Sequence, residues 1–277
     1  MLRHASLADI PADIQARINS RLDEVAVAEG VRIFFAVESG SRAWGFASPD
    51  SDFDIRFIYV RRVDDYLGLV PPRDVIEPTE LDKLDVSGWD LRKALLLGLS
   101  WNPALVEWLT SPIVYREAGW ETAALRRLFV QPMSRDALIQ HYFGLGQRQW
   151  GRFIDGRNAV KLKKYFYVVR PAVALLWLDL RPEETPPMSL PALVEGVAMP
   201  SDVISAIGEL RDLKARTNEV GEGARIPVLD LFIQRRLSWA QKNLAGAKKV
   251  VDHRLGAAAT AIFRASVSGQ PMPPLTI

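Results

Sequence analysis

The chain has 277 residues, of which 48% are hydrophobic and 25% charged, and its formal net charge is +2. This length predicts one large domain or two smaller ones, and the near-neutral charge argues against a protein that wraps nucleic acid with basic residues throughout. The absence of cysteine excludes disulfides, thiolate metal sites and a cysteine nucleophile. The longest apolar stretch, 171–178, is far shorter than the roughly 20 residues that span a bilayer. No signal peptide is recognisable, so we expect a cytoplasmic protein without a membrane partner.

The first part of the chain predicts helices alternating with strands. Apolar residues at helical spacing predict a helix over 9–29 that ends at Gly30. "VRIFFAV" (31–37) and "DFDIRFIYV" (52–60) predict strands, and "GSRAWGF" between them fits one short helical turn. "DKLDVSGWD" (82–90) predicts a third strand that leads into a helix.

From about Asn102 onward the pattern becomes helical, with predicted segments over 117–130, 134–154, 158–180, 200–218 and 227–253. The Pro-rich stretch 181–191 reads as a loop. We therefore predict an α/β (α+β) protein. A small mixed-sheet catalytic domain is expected over 1–110, an all-helical domain over 111–255, and a mobile tail over 256–277.

Two aspartates mark the start of the second strand. Asp52 and Asp54 are two residues apart, so they are expected to project from one side of the strand. Such a pair of like charges is costly unless a cation lies between them, and Mg²⁺ prefers one or two carboxylates together with substrate phosphates. Asp85 and Asp90 are candidates for a third carboxylate from the next strand. A calcium loop is excluded because Ile55 stands where its tight-turn glycine is needed.

Gly40 and Ser41 follow the first strand directly. Glycine allows close approach of the backbone to an anion, and free amides with a hydroxyl can bind phosphate oxygens. No Gly-Lys-Ser/Thr follows, so this is not a Walker-type loop. A strand, a Gly-Ser turn and an Asp-x-Asp strand together predict a phosphate site facing a metal site.

These residues resemble the DNA polymerase β-like nucleotidyltransferase superfamily, and more closely the predicted nucleotidyltransferases of the YcgL/RlaP kind, which are associated with RNA ligase. The resemblance covers roughly residues 31–180. Its motifs are "ESGSRAWGFASPDSDFDIRFIYV", "GWDLRKAL", "NPALVEWLTSP" and "KLKKYFYVVRP", the first being the most specific. It implies Mg²⁺ (or Mn²⁺) as cofactor and an NTP, with ATP favoured, as substrate. It also implies transfer of a nucleoside monophosphate to an acceptor hydroxyl, with an RNA end favoured.

Carried over to this chain, the resemblance implies that Gly40 and Ser41 hold the triphosphate and that Asp52 and Asp54 hold the metals. The third carboxylate, which helps to activate the acceptor, is Asp85 or Asp90. Asp85 is preferred, because Asp90 stands at a helix start where an N-cap role explains it.

Basic residues complete the predicted site. Arg42 either reaches a phosphate or forms a surface ion pair, and Arg56 either pairs with an aspartate or touches substrate. Arg157, Lys161 and Lys164 have the spacing of one helical face, which is either solvated or binds the triphosphate. Nucleotide transfer to a protein or a small molecule, and a non-catalytic nucleotide-binding module, remain the alternative functions.

Overall fold

The computed structural model describes residues 5–78, 82–130, 134–216, 221–244 and 253–275. Its strands are β1 (Arg32–Glu38), β2 (Phe53–Val60), β3 (Val75–Ile76), β4 (Leu84–Asp90), β5 (Val114–Glu117), β6 (Ala159–Lys161) and β7 (Glu222–Ala224). Its first helices are α1 (Ala12–Glu29), α2 (Val63–Leu67), α3 (Leu91–Leu99), α4 (Pro103–Leu109), α5 (Glu121–Phe129) and α6 (Arg135–Phe153). The later helices are α7 (Phe166–Leu180), α8 (Leu190–Gly196), α9 (Ser201–Arg216), α10 (Pro227–Asn243) and α11 (His253–Val267). Short 3-10 helices cover Leu7–Asp9 and Leu162–Tyr165.

The described residues fall into two compact units. The sheet unit contains those within 5–43, 52–130 and 253–275, and the helical unit contains those within 44–51 and 134–244. The predicted mixed α/β architecture is confirmed, because a mixed sheet is followed by a helical region. Within the described ranges, no helix is long and apolar enough to cross a membrane.

The sheet unit is built on one mixed sheet with strand order β3-β4-β2-β1-β5. β1 is antiparallel to β2 and β5, whereas β2 and β4 run parallel. Helix α1 covers one face through Ile18, Leu22 and Val25, and helices α3, α4, α5 and α11 cover the other. A sheet buried on both faces explains why β1 is a continuous apolar run.

Successive side chains of β2 point to opposite faces of the sheet, and this alternation decides where its polar residues lie. Phe53, Ile55, Phe57 and Tyr59 enter the core beneath α1. The intervening residues therefore face the opposite side of the sheet, where Ile58 packs into the core formed with α3. Asp54 and Arg56 lie on that same side, near the start of β2.

The helical unit is centred on α7, which packs against α6, α8 and α10. Segment 44–51 belongs to this unit, where the Phe46 ring stacks on Phe166 at 4.8 Å between centroids. The guanidinium of Arg170 lies 4.8 Å from the ring of Trp44. The loop that follows Gly40 and Ser41 is thus anchored by aromatic packing.

Several boundaries differ from the sequence prediction. Residues 41–45 form turns at the place where one short helical turn is expected. The first residues of the helix predicted over 117–130 are not helical, and strand β5 forms before α5 by long-range pairing with β1, which has no local signal. Helix α11 occupies most of the expected mobile tail, since its Ile262 and neighbouring alanines are buried in the core with α3 and α5. The compact units therefore do not follow the expected boundaries at 110 and 255, because the chain returns after 252 to cover the sheet. The predicted helix over 227–253 ends at Asn243, and residues 245–252 lie outside the described ranges.

Candidate active site

Asp54 and Asp85 are neighbours across the parallel pair of strands β2 and β4. The two residues are register partners, so their backbones are about 4.8 Å apart and their side chains share one face. Asp52 stands one residue before β2, and its carbonyl accepts a hydrogen bond from Nε of Arg42 at 3.2 Å. The sheet therefore places Asp85 beside Asp54, and Asp52 is near enough for its charge to raise the pKa of Asp54.

Arg56 supplies positive charge to this cluster. Its Nη2 lies 2.8 Å from Oδ2 of Asp85 and 3.7 Å from Oδ1 of Asp54, and its Nη1 donates to the Asp85 carbonyl at 3.0 Å. Of the two roles predicted for Arg56, the ion pair with an aspartate is the one observed. Even so, burial raises the pKa of Asp54, and the charges of Asp85 and Asp52 add to this effect while Arg56 opposes it. The cluster retains an excess of negative charge that favours binding of a cation.

The Gly40 backbone lies against Asp54. A Cβ atom at position 40 would overlap Oδ2 of Asp54 and come within 2.8 Å of its Cβ. The N–H of Ser39 donates to the Asp54 carbonyl at 2.9 Å, which ties the end of β1 to the start of β2. Ser41 is buried, and the guanidinium of Arg42 stacks 3.8 Å from the centre of the Phe53 ring. The Gly-Ser turn is thus held beside the aspartates.

Glu38 is a buried part of this site that the sequence analysis missed. Its carboxylate is fully buried and accepts hydrogen bonds from the Asp54 N–H at 2.9 Å and from the Tyr115 hydroxyl at 2.6 Å. Burial raises the pKa of Glu38, and these two hydrogen bonds act in the opposite direction. The signal available in the sequence was an acidic residue that ends an otherwise apolar strand, directly before Ser39 and Gly40.

Asp90 lies at the other end of β4. It lies five positions after Asp85, which corresponds to roughly 16 Å along a strand. Its carboxylate caps α3 by accepting the Arg92 N–H at 2.7 Å, and it accepts the Tyr66 hydroxyl at 2.8 Å. Only 3% of Asp90 is exposed, and burial raises its pKa. Asp85 is the residue placed beside Asp54.

The family model described as RlaP, RNA repair pathway DNA polymerase beta family, matches residues 14–259. The chain belongs to this family. The protein YcgL of Bacillus subtilis (strain 168), described as uncharacterized, is 40% identical over 245 residues, which cover 87% of this chain and 94% of YcgL. The resemblance seen in the motifs is therefore confirmed. Membership indicates a nucleotidyltransferase of the polymerase β kind.

The chain is also similar to a nucleotidyltransferase-like protein from Exiguobacterium sibiricum 255-15, whose crystal structure is known. The alignment covers 92% of this chain and 75% of that protein, at 13% identity and with a TM-score of 0.26.

The family's metal requirement can be tested against the residues present. Across the ranges that the structure describes, no group of three or more His, Cys, Asp or Glu side chains is arranged to hold a metal ion. Asp54 and Asp85 present two hard oxygen donors, which is the number that Mg²⁺ takes when substrate phosphates and water complete its shell. The donor set therefore fits Mg²⁺, with Asp52 beside it.

Lys161 and Lys164 lie in the helical unit. The expected helical face is wrong here, because Lys161 ends strand β6 and Lys164 lies in a 3-10 helix. Both nevertheless line one cavity, together with Arg157 and Arg152. Their convergence comes from the fold of the β6 region and not from helical spacing.

Proposed function

We propose that this protein transfers a nucleoside monophosphate from an NTP, with ATP favoured, to an acceptor hydroxyl and releases pyrophosphate. The observation that carries the proposal is the pairing of Asp54 with Asp85 beside the Gly40 turn. Two adjacent carboxylates next to a glycine turn are suited to phosphoryl transfer. Catalysis of this reaction depends mainly on positioning of the substrates and neutralisation of their charge.

On the donor side, the Gly40 and Ser41 turn offers backbone and hydroxyl groups to the triphosphate, and Arg42 offers a guanidinium at the same turn. Asp52, Asp54 and Asp85 would hold Mg²⁺, or Mn²⁺ in its place. The metal, when bound, supplies neutralisation of the phosphate charge.

On the acceptor side, Asp85 would accept a hydrogen bond from the acceptor hydroxyl and take its proton. The hydroxyl oxygen then forms a bond to the α-phosphorus, and the bond from that phosphorus to the pyrophosphate oxygen breaks. Arg56 would orient Asp85 for this step, because its Nη2 contacts Oδ2 of Asp85.

RNA is the proposed acceptor, and an RNA ligase the proposed functional associate. The support for RNA is the description of the family, which names an RNA repair pathway, and the ligase is proposed from the resemblance in the motifs. A cytoplasmic location fits this role.

The proposal is tested by incubating the protein with α-³²P-labelled NTPs, Mg²⁺ or Mn²⁺, and RNA with defined ends. We expect pyrophosphate and an RNA product one nucleotide longer, both absent with Asp54→Asn. Label on protein or on a small molecule would replace RNA as the acceptor. A complete lack of product, with equal NTP binding by wild type and Asp54→Asn, would mean a non-catalytic nucleotide-binding module and overturn the proposal.

A further inference from the structure

The helical unit contains a cavity of about 350 Å³ beside the hairpin of β6 and β7. This volume is within the range of small-ligand pockets. Its lining consists of Arg152, Phe153, Arg157, Ala159, Val160, Lys161, Lys164 and Glu222. Four of these side chains are basic, and a single one is acidic.

The basic side chains of this cavity come from separate elements. Arg152 is in the last turn of α6, Arg157 follows that helix, Lys161 ends β6, and Lys164 is in the 3-10 helix. The backbone that carries these cations is anchored, because Ile154 and Val160 are buried in the core of the helical unit. A solvated helix face does not produce this arrangement, because no single helix carries these residues.

The scaffold beneath the cavity is further fixed by Tyr165, which follows Lys164 and is fully buried. Its hydroxyl donates to Asp230 at 2.8 Å and accepts the Ile226 N–H at 2.9 Å. Asp230 in turn accepts from Nε of Arg225 at 2.8 Å. This network ties the 3-10 helix to the segment that follows β7, so the lysines are held in place by buried contacts.

In the part of the chain that the structure describes, the cavity lining carries four cationic side chains and one carboxylate. Among the described residues, none of the four cations forms an ion pair with a carboxylate, and Glu222 lies opposite Lys161 in the register of the hairpin. Burial lowers the pKa of Lys164, and the nearby charges of Lys163, Arg152 and Lys161 lower it further. A bound anion relieves this repulsion.

Aromatic rings accompany the cations. The Nζ of Lys164 lies 4.6 Å from the centre of the Phe153 ring and 4.8 Å from that of Tyr167, and the Arg152 guanidinium lies 5.2 Å from Phe153. Cationic grooves with aromatic rings are typical of sites that bind single-stranded nucleic acid. The Gly40 turn already offers a phosphate site for the donor, so a second phosphate site is available to the other substrate.

We propose that this cavity binds a terminal phosphate of a single-stranded RNA. This RNA carries the acceptor hydroxyl in the function proposed above. The role of this RNA as acceptor rests on the proposed function. Binding of the RNA to the cavity requires neither metal nor nucleotide. It assigns Lys161 and Lys164 to the phosphate of the RNA instead of the triphosphate of the NTP.

The experiment measures RNA binding by fluorescence anisotropy in the presence of EDTA and without nucleotide. The probes are one RNA sequence with a 5′-phosphate, with a 3′-phosphate, or with hydroxyls at both ends. The test variant is Arg157→Gln/Lys161→Gln. The matched control is Arg235→Gln/Lys242→Gln, which removes two exposed cations of α10 that do not line the cavity. ATP binding is measured on the same proteins by calorimetry.

We expect wild type and control to bind one phosphate-ended RNA about fivefold or more tightly than the hydroxyl-ended RNA, and the test variant to lose this preference. The slope of log K against log salt should become shallower by about 1.4 in the test variant, at roughly 0.7 for each lost phosphate contact to a single strand. Unchanged RNA binding in the test variant overturns the inference. A loss of ATP affinity with RNA binding intact also overturns it, because the cavity would then serve the triphosphate.

Failure of the proposed function gives a different result. If the terminal-phosphate preference is present and depends on Arg157 and Lys161, but no labelled product forms in the transfer assay, the cavity stands as an RNA site and the transferase proposal alone is rejected. The binding assay contains no metal and no nucleotide, so the two outcomes are independent.

Discussion

The backbone of Gly40 packs directly against the carboxylate of Asp54, leaving no room for a Cβ atom between them. Gly40 is the second residue after β1 and directly precedes the turn over 41–45, and Asp54 is the second residue of β2. Glycine is therefore required here by the close approach of a side chain, in addition to any approach of a phosphate. The same contact fixes where the carboxylate of Asp54 points.

Gly40→Ala is expected to lower kcat/KM for nucleotide transfer by about 100-fold, because a displacement of about 1 Å at a reacting site has this effect. Steady-state kinetics with labelled ATP measures the change. The control is Gly208→Ala in α9, where a Cβ meets open space; a helical Gly→Ala change there should stabilise by up to about 1 kcal/mol. Wild-type kinetics for Gly40→Ala would show that the orientation of Asp54 is unimportant.

Asp85→Ala and Asp90→Ala should separate chemistry from stability. We expect Asp85→Ala to lower kcat/KM by about 1,000-fold, the scale of a lost general base, and to change the free energy of unfolding by less than about 1 kcal/mol. Asp90→Ala removes an N-cap and the partner of Tyr66, so it should cost about 2 to 4 kcal/mol. Urea unfolding and transfer kinetics on both variants check this, and the reverse pattern would make Asp90 the third carboxylate.

Arg56→Gln removes the cation that lies between Asp54 and Asp85. Without metal, the variant should lose about 1 to 3 kcal/mol of stability, because the like charges on the two strands are left unpaired. Mg²⁺ should restore more stability to this variant than it adds to wild type. Thermal unfolding with and without Mg²⁺ measures the difference, and Arg116→Gln, which removes an exposed ion pair with Asp23, serves as the control. An equal Mg²⁺ response in all three proteins would contradict a metal site at Asp54 and Asp85.

Glu38→Gln is expected to change how stability depends on pH. Burial raises the folded-state pKa of Glu38 above its ordinary 4.5. Between these two pKa values the folded state binds more protons than the unfolded state, so the free energy of unfolding falls as pH rises through this window. Glutamine does not titrate in this range. The free energy of unfolding of the variant should therefore fall less than that of wild type as pH rises above 4.5. Urea unfolding across this window tests the sign, and parallel curves for the two proteins would refute it.

The sequence alone indicated the local parts of the candidate site. The Gly-Ser pair after an apolar strand and the Asp-x-Asp pattern are short-range features, since alternation along one strand decides which residues share a face. Helices such as α1 and α6 could be predicted for the same reason, because helical periodicity and capping residues lie within the segment itself.

Tertiary structure decided what depends on distant residues. The sequence favours Asp85 over Asp90 only through the N-cap position of Asp90. The parallel register of β4 with β2 is what places Asp85 beside Asp54. The role of Glu38 also required the fold, because its partner Tyr115 comes from β5, a strand formed by long-range pairing with β1. In the helical unit, the fold around β6 brings Arg157, Lys161 and Lys164 to one cavity with Arg152, although the spacing of the first three had predicted one helical face. Periodicity in the sequence shows which residues share a face of one helix or strand. Which helices and strands pack against each other is determined by the apolar surfaces that they bury together.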